Sequence, residues 1–342
     1  SLRPWSPEDP FLYDLEVSLM RSAAIVDRVD SYFGAREIST ARDEDGIWRL
    51  FLNGEPRFQL GLLDQGWWPE GLYTAPTDEA LAFDIQATKR MGFNTIRKHV
   101  KVEPARWYWH ADRLGVLVWQ DMPSKAFDLA PLIEQFKQGR QPEEMVFPLR
   151  VSSEASQSYR RELDAMLGAL AAFPSIVIWV AFNEAWGQFD TDAILDSIAQ
   201  RDPSRLVDGP SGWQDTGSGS IRDYHMYNRE ADFHPLEADR PVVYGEFGGL
   251  KLEVPGHTTA ERGWGYESSE TPAGFEAQYT ELIETLEPLV ARGLAGAIYT
   301  QTTDVESEWN GLLSYDREVF KLAPERLAAL HERLLAPRSR RR

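Results

Sequence analysis

The sequence predicts an α/β protein: a (β/α)8 TIM barrel preceded by the closing strands of a β-sandwich. Three observations carry that reading. From Arg57 onward, short apolar runs alternate with amphipathic helical stretches, and eight such runs can be counted, the pattern of a parallel sheet wrapped by its crossover helices. Two of the runs, IVIWVAFNE (Ile176–Glu184) and PVVYGE (Pro241–Glu246), end on a glutamate, and the carboxyl ends of barrel strands share the face where reactive groups collect. Residues 1–45 have instead the period-two alternation of half-buried sandwich strands, in LYDLEVSLM and VDSYFGAREIS.

The barrel elements follow in order. RFQLGLL is the first strand. Thr77 then caps a helix to Met91, with Asp78 and Glu79 in its first turn where the dipole favours anions, and Gly92 stops it. FNTIR is the second strand. Pro104 opens and Gly115 closes the next helix, and VLVWQ is the third strand. A polar stretch over 124–150, holding Pro131, Pro142 and Pro148, reads as an insertion. The helix after it sets Tyr159, Leu163, Met166, Leu167 and Leu170 on one face. Pro174 precedes the fourth strand, and Thr191 caps a helix carrying Ile194, Leu195 and Ile198. RLVDG and DYHMY are strands five and six, with only ADFHPLEA available for the sixth helix. PVVYGE is strand seven; a Gly-rich loop, a helix around 273–291, AGAIYT as strand eight and a helix opened by Pro324 complete the series. The chain therefore divides into an incomplete sandwich (1–45), a barrel (46–337) and a basic, disordered tail (338–342).

Composition narrows the class. With 42% hydrophobic and 12% aromatic residues, the 342-residue chain has material for a large core. A formal charge of −18 repels nucleic acid and anionic membrane surfaces and suits a neutral substrate. No apolar run of ~18 residues is present, and the opening SLRPWSPEDPF has no signal-peptide core. The compartment is left open, with the cytoplasm preferred. Without cysteine there is neither a disulfide nor a thiolate metal site. Twelve Trp and twelve Tyr fill core or serve as stacking platforms for sugar rings.

The two strand-end glutamates suggest a chemistry. Breaking a glycosidic bond takes one carboxyl that protonates the leaving oxygen and a second that attacks or activates water. An ionised nucleophile needs a nearby cation, and Arg97 ends a neighbouring strand. The acid must be protonated, and the second carboxylate helps to raise its pKa. The motifs HExxH, GxxxxGK[ST] and GxSxG are missing. Gly217–Ser220 lacks the strand–turn–helix setting of a phosphate cradle, and Asp190-Thr191-Asp192 is too short for a calcium loop. The chemistry requires neither metal nor cofactor.

Five segments resemble glycoside hydrolase family 2, the β-galactosidase, β-glucuronidase and β-mannosidase family: Leu52–Thr74, Gly92–Ser124, Pro174–Gln188, Arg240–Gly249 and Asn310–Lys321. PWSPEDPFLYDLEV resembles the last strands of the immunoglobulin-like domain that precedes the barrel in that family. The resemblance implies a catalytic-domain fragment, whose partners are a carbohydrate substrate and the missing N-terminal β-domains. It implies Glu184 as acid/base, Asn183 as a contact to the sugar 2-hydroxyl, Glu246 as nucleophile, Arg97 as the group that keeps Glu246 ionised, and Tyr227 as its hydrogen-bond donor.

For the other candidates two roles stay open. Arg97 also suits a bridge to loop carbonyls, and Tyr227 a core position. His99 and His225 have no metal-like spacing; each suits sugar contact or structural bonding. Asp64 and Asp121, ending strands one and three, suit hydroxyl readers or loop anchors. Many family members carry a Trp at the end of strand eight, where this chain has Tyr299-Thr300-Gln301, so Trp309 or Trp213 is expected to supply the platform. The Asn-x-Lys motif of the family's glucuronate readers is missing. The expected function is a retaining β-glycosidase acting on terminal β-linked sugars, β-galactosidase-like by family membership. The alternatives are a β-glucuronidase, β-mannosidase or α-L-arabinopyranosidase, or a sugar-binding barrel without catalysis.

Overall fold

The computed structural model describes residues 2–124, 134–135, 137–139, 151–227 and 239–335. The 124–150 insertion (apart from a few residues), ADFHPLEA and the basic tail lie outside the described residues. Chain order begins with the hairpin strands β1 (Tyr13–Arg21) and β2 (Ala24–Phe33), then β3 (Ile38–Arg42), β4 (Trp48–Leu52) and β5 (Glu55–Pro56). The barrel strands are β6 (Gln59–Asp64), β7 (Thr95–Lys98), β8 (Leu117–Asp121), β9 (Ile176–Asn183), β10 (Leu206–Ser211), β11 (Arg222–Met226), β12 (Val242–Gly248) and β15 (Leu294–Thr300). The short strands β13 (Leu250–Leu252) and β14 (Glu267–Ser269) leave and re-enter the loop after β12.

The eight barrel strands are parallel and run in the spatial order β10-β9-β8-β7-β6-β15-β12-β11. The ring closes between β10 and β11, where the Ser220 N–H donates to the Val207 carbonyl at 2.7 Å and the Ser211 hydroxyl donates to Asp223 at 2.6 Å. Strands such as β9 and β12 are buried on both faces, because helices cover the outside and side chains fill the inside; β11 is only partly buried. The interior cluster includes Leu63, Leu117, Trp119, Ile178, Val180, Val243 and Ile298, joined by Trp5, Ile38, Leu50 and Leu52 from the segments before the barrel.

Outside the ring run α1 (Asp78–Arg90), α2 (Ala105–Leu114), α3 (Ser153–Leu170), α4 (Thr191–Arg201), α5 (Pro272–Arg292) and α6 (Pro324–Leu335). Thr77 caps α1 through the Ala80 N–H, and Gly115 ends α2 in the left-handed conformation. In α3 the five apolar residues expected on one face are the buried ones, and burying each stabilises by roughly 2 kcal/mol. The start of α4 differs from expectation. Asp190, not Thr191, is the capping residue, with left-handed backbone and no side-chain cap bond. Thr191 is already helical and nearly buried, and the Gln188 amide donates to its hydroxyl.

The first two strands also depart from the reading of a half-buried sandwich. β1 and β2 pair from Tyr13↔Phe33 to Arg21↔Ala24, but Val17, Leu19, Ile25, Val26 and Val29 are all more than half exposed. Their alternation marks a face suited to burial, and among the described residues no second sheet covers it; two strands alone bury little apolar surface. β3 pairs with β4, and Ile38, Leu50 and Leu52 of this hairpin pack with the barrel's interior cluster.

Candidate active site

The carboxyl ends of the strands gather one dense polar cluster. β9 is fully buried and delivers Asn183 at its end and Glu184 one residue beyond. Glu184 and Ala185 both take left-handed backbone, with φ of 54° and 61°, a conformation that costs a non-glycine residue about 1–3 kcal/mol and persists where the surroundings enforce it. Here the Glu184 N–H donates to the Ser211 carbonyl on β10 at 2.8 Å, and the Trp186 N–H returns to the Asn183 carbonyl at 2.9 Å. Glu246 lies within β12, which continues two residues further than expected, to Gly248. One oxygen of Glu184, one of Glu246 and a ring nitrogen of His225 all lie within 4.8 Å of one another.

Arg97, completely buried on β7, organises the floor. Its Nε and Nη2 each donate to Asp121 at 3.0 Å, Nη2 donates to the Asn183 Oδ1 at 2.7 Å, and Nη1 donates to Glu246 at 3.3 Å. Burial opposes its charge, but Asp121 and Glu246 beside it outweigh that and raise the guanidinium above its ordinary value. A guanidinium only donates, so Asn183 must turn its oxygen to Arg97 and present its NH2 elsewhere. Nη1 also reaches the Gly245 carbonyl at 3.1 Å; of the two roles open to Arg97, carboxylate pairing dominates the geometry.

Tyr227 donates its hydroxyl to Glu246 and lies 3.0 Å from the Thr300 hydroxyl. Tyr266, from the loop after β12, stacks on it with 3.4 Å between ring centroids. Gly249 leaves room for this pair: its φ is +68°, and a Cβ there would lie 2.4 Å from the Tyr266 ring. His225 sets Nδ1 at 2.9 Å from Glu184 and 3.5 Å from Glu246. Its pKa is raised: burial opposes the charged ring, but the two carboxylates outweigh it. Glu184 moves the other way, since burial would raise it but the bonded His225 holds it below the usual carboxylate range. The expectation that the second carboxylate raises Glu184 is thus not met, because an imidazole is interposed between the two acids.

Three expected sugar contacts have other partners. Asp64 is buried and takes Lys98 Nζ at 2.6 Å and the Gly66 N–H at 2.8 Å. Asp121 is spent on Arg97, the Val100 N–H and His99. Both carboxylates thus bond groups at the strand ends. Trp309 is buried, donates to the Glu306 carbonyl at 3.1 Å, and packs so tightly under Gly263 that a Cβ there would lie 1.8 Å from the indole. Trp213 remains half-buried beside the His225 ring, at 6.0 Å. His99 bonds Asp121 at 3.1 Å.

Sequence reasoning passed over Trp186, whose indole donates to Glu184 at 3.2 Å, and Glu308, which accepts from Gln301 at 3.1 Å. Burial and the neighbouring Glu246 raise the Glu308 carboxyl above its ordinary value. Trp186, two residues past Glu184, was within reach of a local reading. Glu308 and Tyr266 lie on long loops with no periodic signal.

A family model described as "Glycosyl hydrolases family 2, TIM barrel domain" matches residues 75–291. The chain belongs to glycosyl hydrolase family 2. A second model, "Glycosyl hydrolases family 2", matches residues 1–36, the region of the exposed hairpin. A β-galactosidase from Lactococcus lactis is 26% identical over 204 residues, covering 59% of this chain and 18% of that protein. Among solved structures, a family 2 β-galacturonidase from Eisenbergiella tayi, bound to galacturonate, matches with a TM-score of 0.71 at 19% identity, covering 97% of this chain and 60% of that one. β-Glucuronidase 3 of Bacteroides uniformis matches at 0.67 and 18% identity, covering 96% and 44%. The family 2 chain thus spans under a fifth of that Lactococcus relative. Among the described residues no helix is long and apolar enough to cross a membrane.

Proposed function

We propose that the chain carries the catalytic site of a retaining β-glycosidase that hydrolyses a terminal, uncharged β-linked sugar, with a galactoside preferred. The observation that supports this most directly is the spacing of Glu184 and Glu246, whose oxygens approach within 4.8 Å. Retaining pairs stand ~5–5.5 Å apart, whereas inverting pairs need ~6.5–9.5 Å to admit a water. In this reading Glu246 attacks the anomeric carbon while Glu184 protonates the departing oxygen. Glu184, then a carboxylate, removes a proton from the water that releases the sugar from Glu246. Arg97 and Tyr227 hold the nucleophile's two oxygens, and the Asn183 amide offers its NH2 to a substrate hydroxyl.

The preference for an uncharged sugar rests on the cations nearby. Among the described residues, Arg97 is paired with Asp121 and Glu246, Lys98 with Asp64 and Glu103, and Lys101 with Glu103 and the Gly66 carbonyl. Glu308 adds another acid close to Glu246. A uronate carboxylate entering this site would meet acids first. The family base rate favours galactoside among neutral sugars.

A panel of nitrophenyl β-D-galactoside, glucoside, mannoside and glucuronide and α-L-arabinopyranoside tests the reading, on this chain alone and joined to the preceding β-domains expected from the resemblance. Galactoside is expected to lead. A preference for glucuronide overturns the charge argument. Tight sugar binding without turnover in either form supports the non-catalytic alternative.

A further inference from the structure

The two strands that close the ring carry a second pair of acids beneath the site. Asp208 on β10 and Asp223 on β11 are both buried, and burial together with Asp223 pushes the Asp208 carboxyl well above the ordinary range. Asp223 accepts at both ends: from the Gly245 N–H on Oδ1 at 2.5 Å and from the Ser211 hydroxyl on Oδ2 at 2.6 Å. Gly245 has no side chain to spare there, since a Cβ would lie 2.0 Å from Asp223. The Ser211 oxygen in turn lies 2.8 Å from His225 Nε2.

Counting protons along this chain assigns the state of His225. Ser211 has one hydrogen, and it goes to Asp223. The hydroxyl is therefore an acceptor toward the ring, and Nε2 must carry a proton to bond it. On the other side, among the described residues, Nδ1 faces only the carboxyl groups of Glu184 at 2.9 Å and Glu246 at 3.5 Å. Glu184, held below the usual carboxylate range, accepts rather than donates, so Nδ1 carries a proton as well. Around the ring stand Glu184 from the end of β9, Glu246 from β12, Ser211 and Asp223 below, and the Trp213 and Tyr227 rings at 6.0 and 6.5 Å. Arg97 is bonded to Glu246 on its other side.

We propose that Asp223, acting through Ser211, holds His225 as a doubly protonated imidazolium between the two glutamates, and that His225 stores the proton Glu184 delivers to the leaving group. The step rests on the glycosidase reading. The proton leaves Nδ1 for Glu184 Oε1 and passes to the glycosidic oxygen as the bond from that oxygen to C1 breaks and the bond from Glu246 to C1 forms. His225 is left neutral, still donating Nε2–H to Ser211. In the second step water attacks C1, Glu246 departs as carboxylate, and the proton removed from water returns through Glu184 to Nδ1. Asp223 and Ser211 touch no substrate; they are positioning residues.

Two measurements test this, one independent of turnover. In protein labelled with 15N-histidine, the His225 signals, identified by their loss in His225→Gln, should show both ring nitrogens protonated at neutral pH. A neutral ring there overturns the proposal. In Asp223→Asn, Gly245 keeps its acceptor, the new NH2 donates to Ser211, and Ser211 must donate to Nε2. Ser211→Ala removes the link with little change of volume, and stands in if the Asn variant does not fold. In both, the alkaline limb of the kcat/KM profile should move down by about one pH unit or more, because the imidazolium has lost its support. A fall in rate with the limb unmoved overturns the proposal. If no glycoside is turned over, the glycosidase reading fails and the delivery step with it, while the nitrogen spectra still decide the charge of His225.

Discussion

Nδ1 of His225 lies 2.9 Å from Oε1 of Glu184, joining a carboxylate at the end of β9 to an imidazole two strands away on β11. That bond holds Glu184 low, and Glu246 together with it holds His225 high. Both strand ends are needed to make it, and the left-handed turn at Glu184 aims the carboxylate.

Replacing the two glutamates should separate their roles. Glu246→Ala should abolish turnover of every glycoside. Glu184→Ala should still release aryl alcohols with good leaving groups, which need little protonation, and azide should restore its rate with a glycosyl azide of retained configuration. A retained azide product from the Glu246 variant instead would show that the assignments are reversed.

Arg97→Lys keeps one charge but loses the fork that bonds Asp121, Asn183 and Glu246 together. We expect kcat/KM to fall by about a hundredfold or more, as a point charge cannot replace bidentate donation. Activity within a few-fold of the parent would refute the central place given to this residue.

His331 should govern part of the acid sensitivity of the fold. It is buried and neutral, with Nδ1–H bonded to the Met91 carbonyl and Nε2 facing the Tyr279 hydroxyl, and burial lowers its pKa to about 3. The unfolded chain takes up this proton below ~6.5 and the native chain does not. Stability is therefore fully present above that pH and falls toward about 3, by up to ~1.4 kcal/mol per pH unit. Denaturant titrations between neutral and mildly acidic pH should show a shallower decline in His331→Gln. An unchanged slope would rule this residue out.

Leu167→Ala in α3 should cost ~2–5 kcal/mol, through lost burial and the cavity left behind. Asp164→Ala, on the exposed side of the same helix, should change stability by no more than ~0.5 kcal/mol. Comparable losses from both would mean that the helix does not pack by this face.

Legibility in the sequence tracked locality. The α3 stripe, the Thr77 cap and the Gly115 stop each depend on residues a few positions apart, and each is where the pattern put it. The α4 cap went to Asp190 because Thr191 was drawn into the helix and buried, with its hydroxyl bonded to Gln188. Asp64, Asp121 and Trp309 looked available as strand-end or aromatic residues, but their partners, Lys98, Arg97 and the Gly263 loop, are assigned only when strands and loops are brought together.

From residue order alone came the barrel, its strand series and the two glutamates on the strand ends, because each rests on period, capping and chain direction. Only the tertiary structure decided what stands between those glutamates. His225, Ser211, Asp223 and Asp208 come from two strands that meet where the ring closes. Whether a buried ring or acid carries a proton depends on which donors and acceptors surround it in space, and no local pattern of residues encodes that.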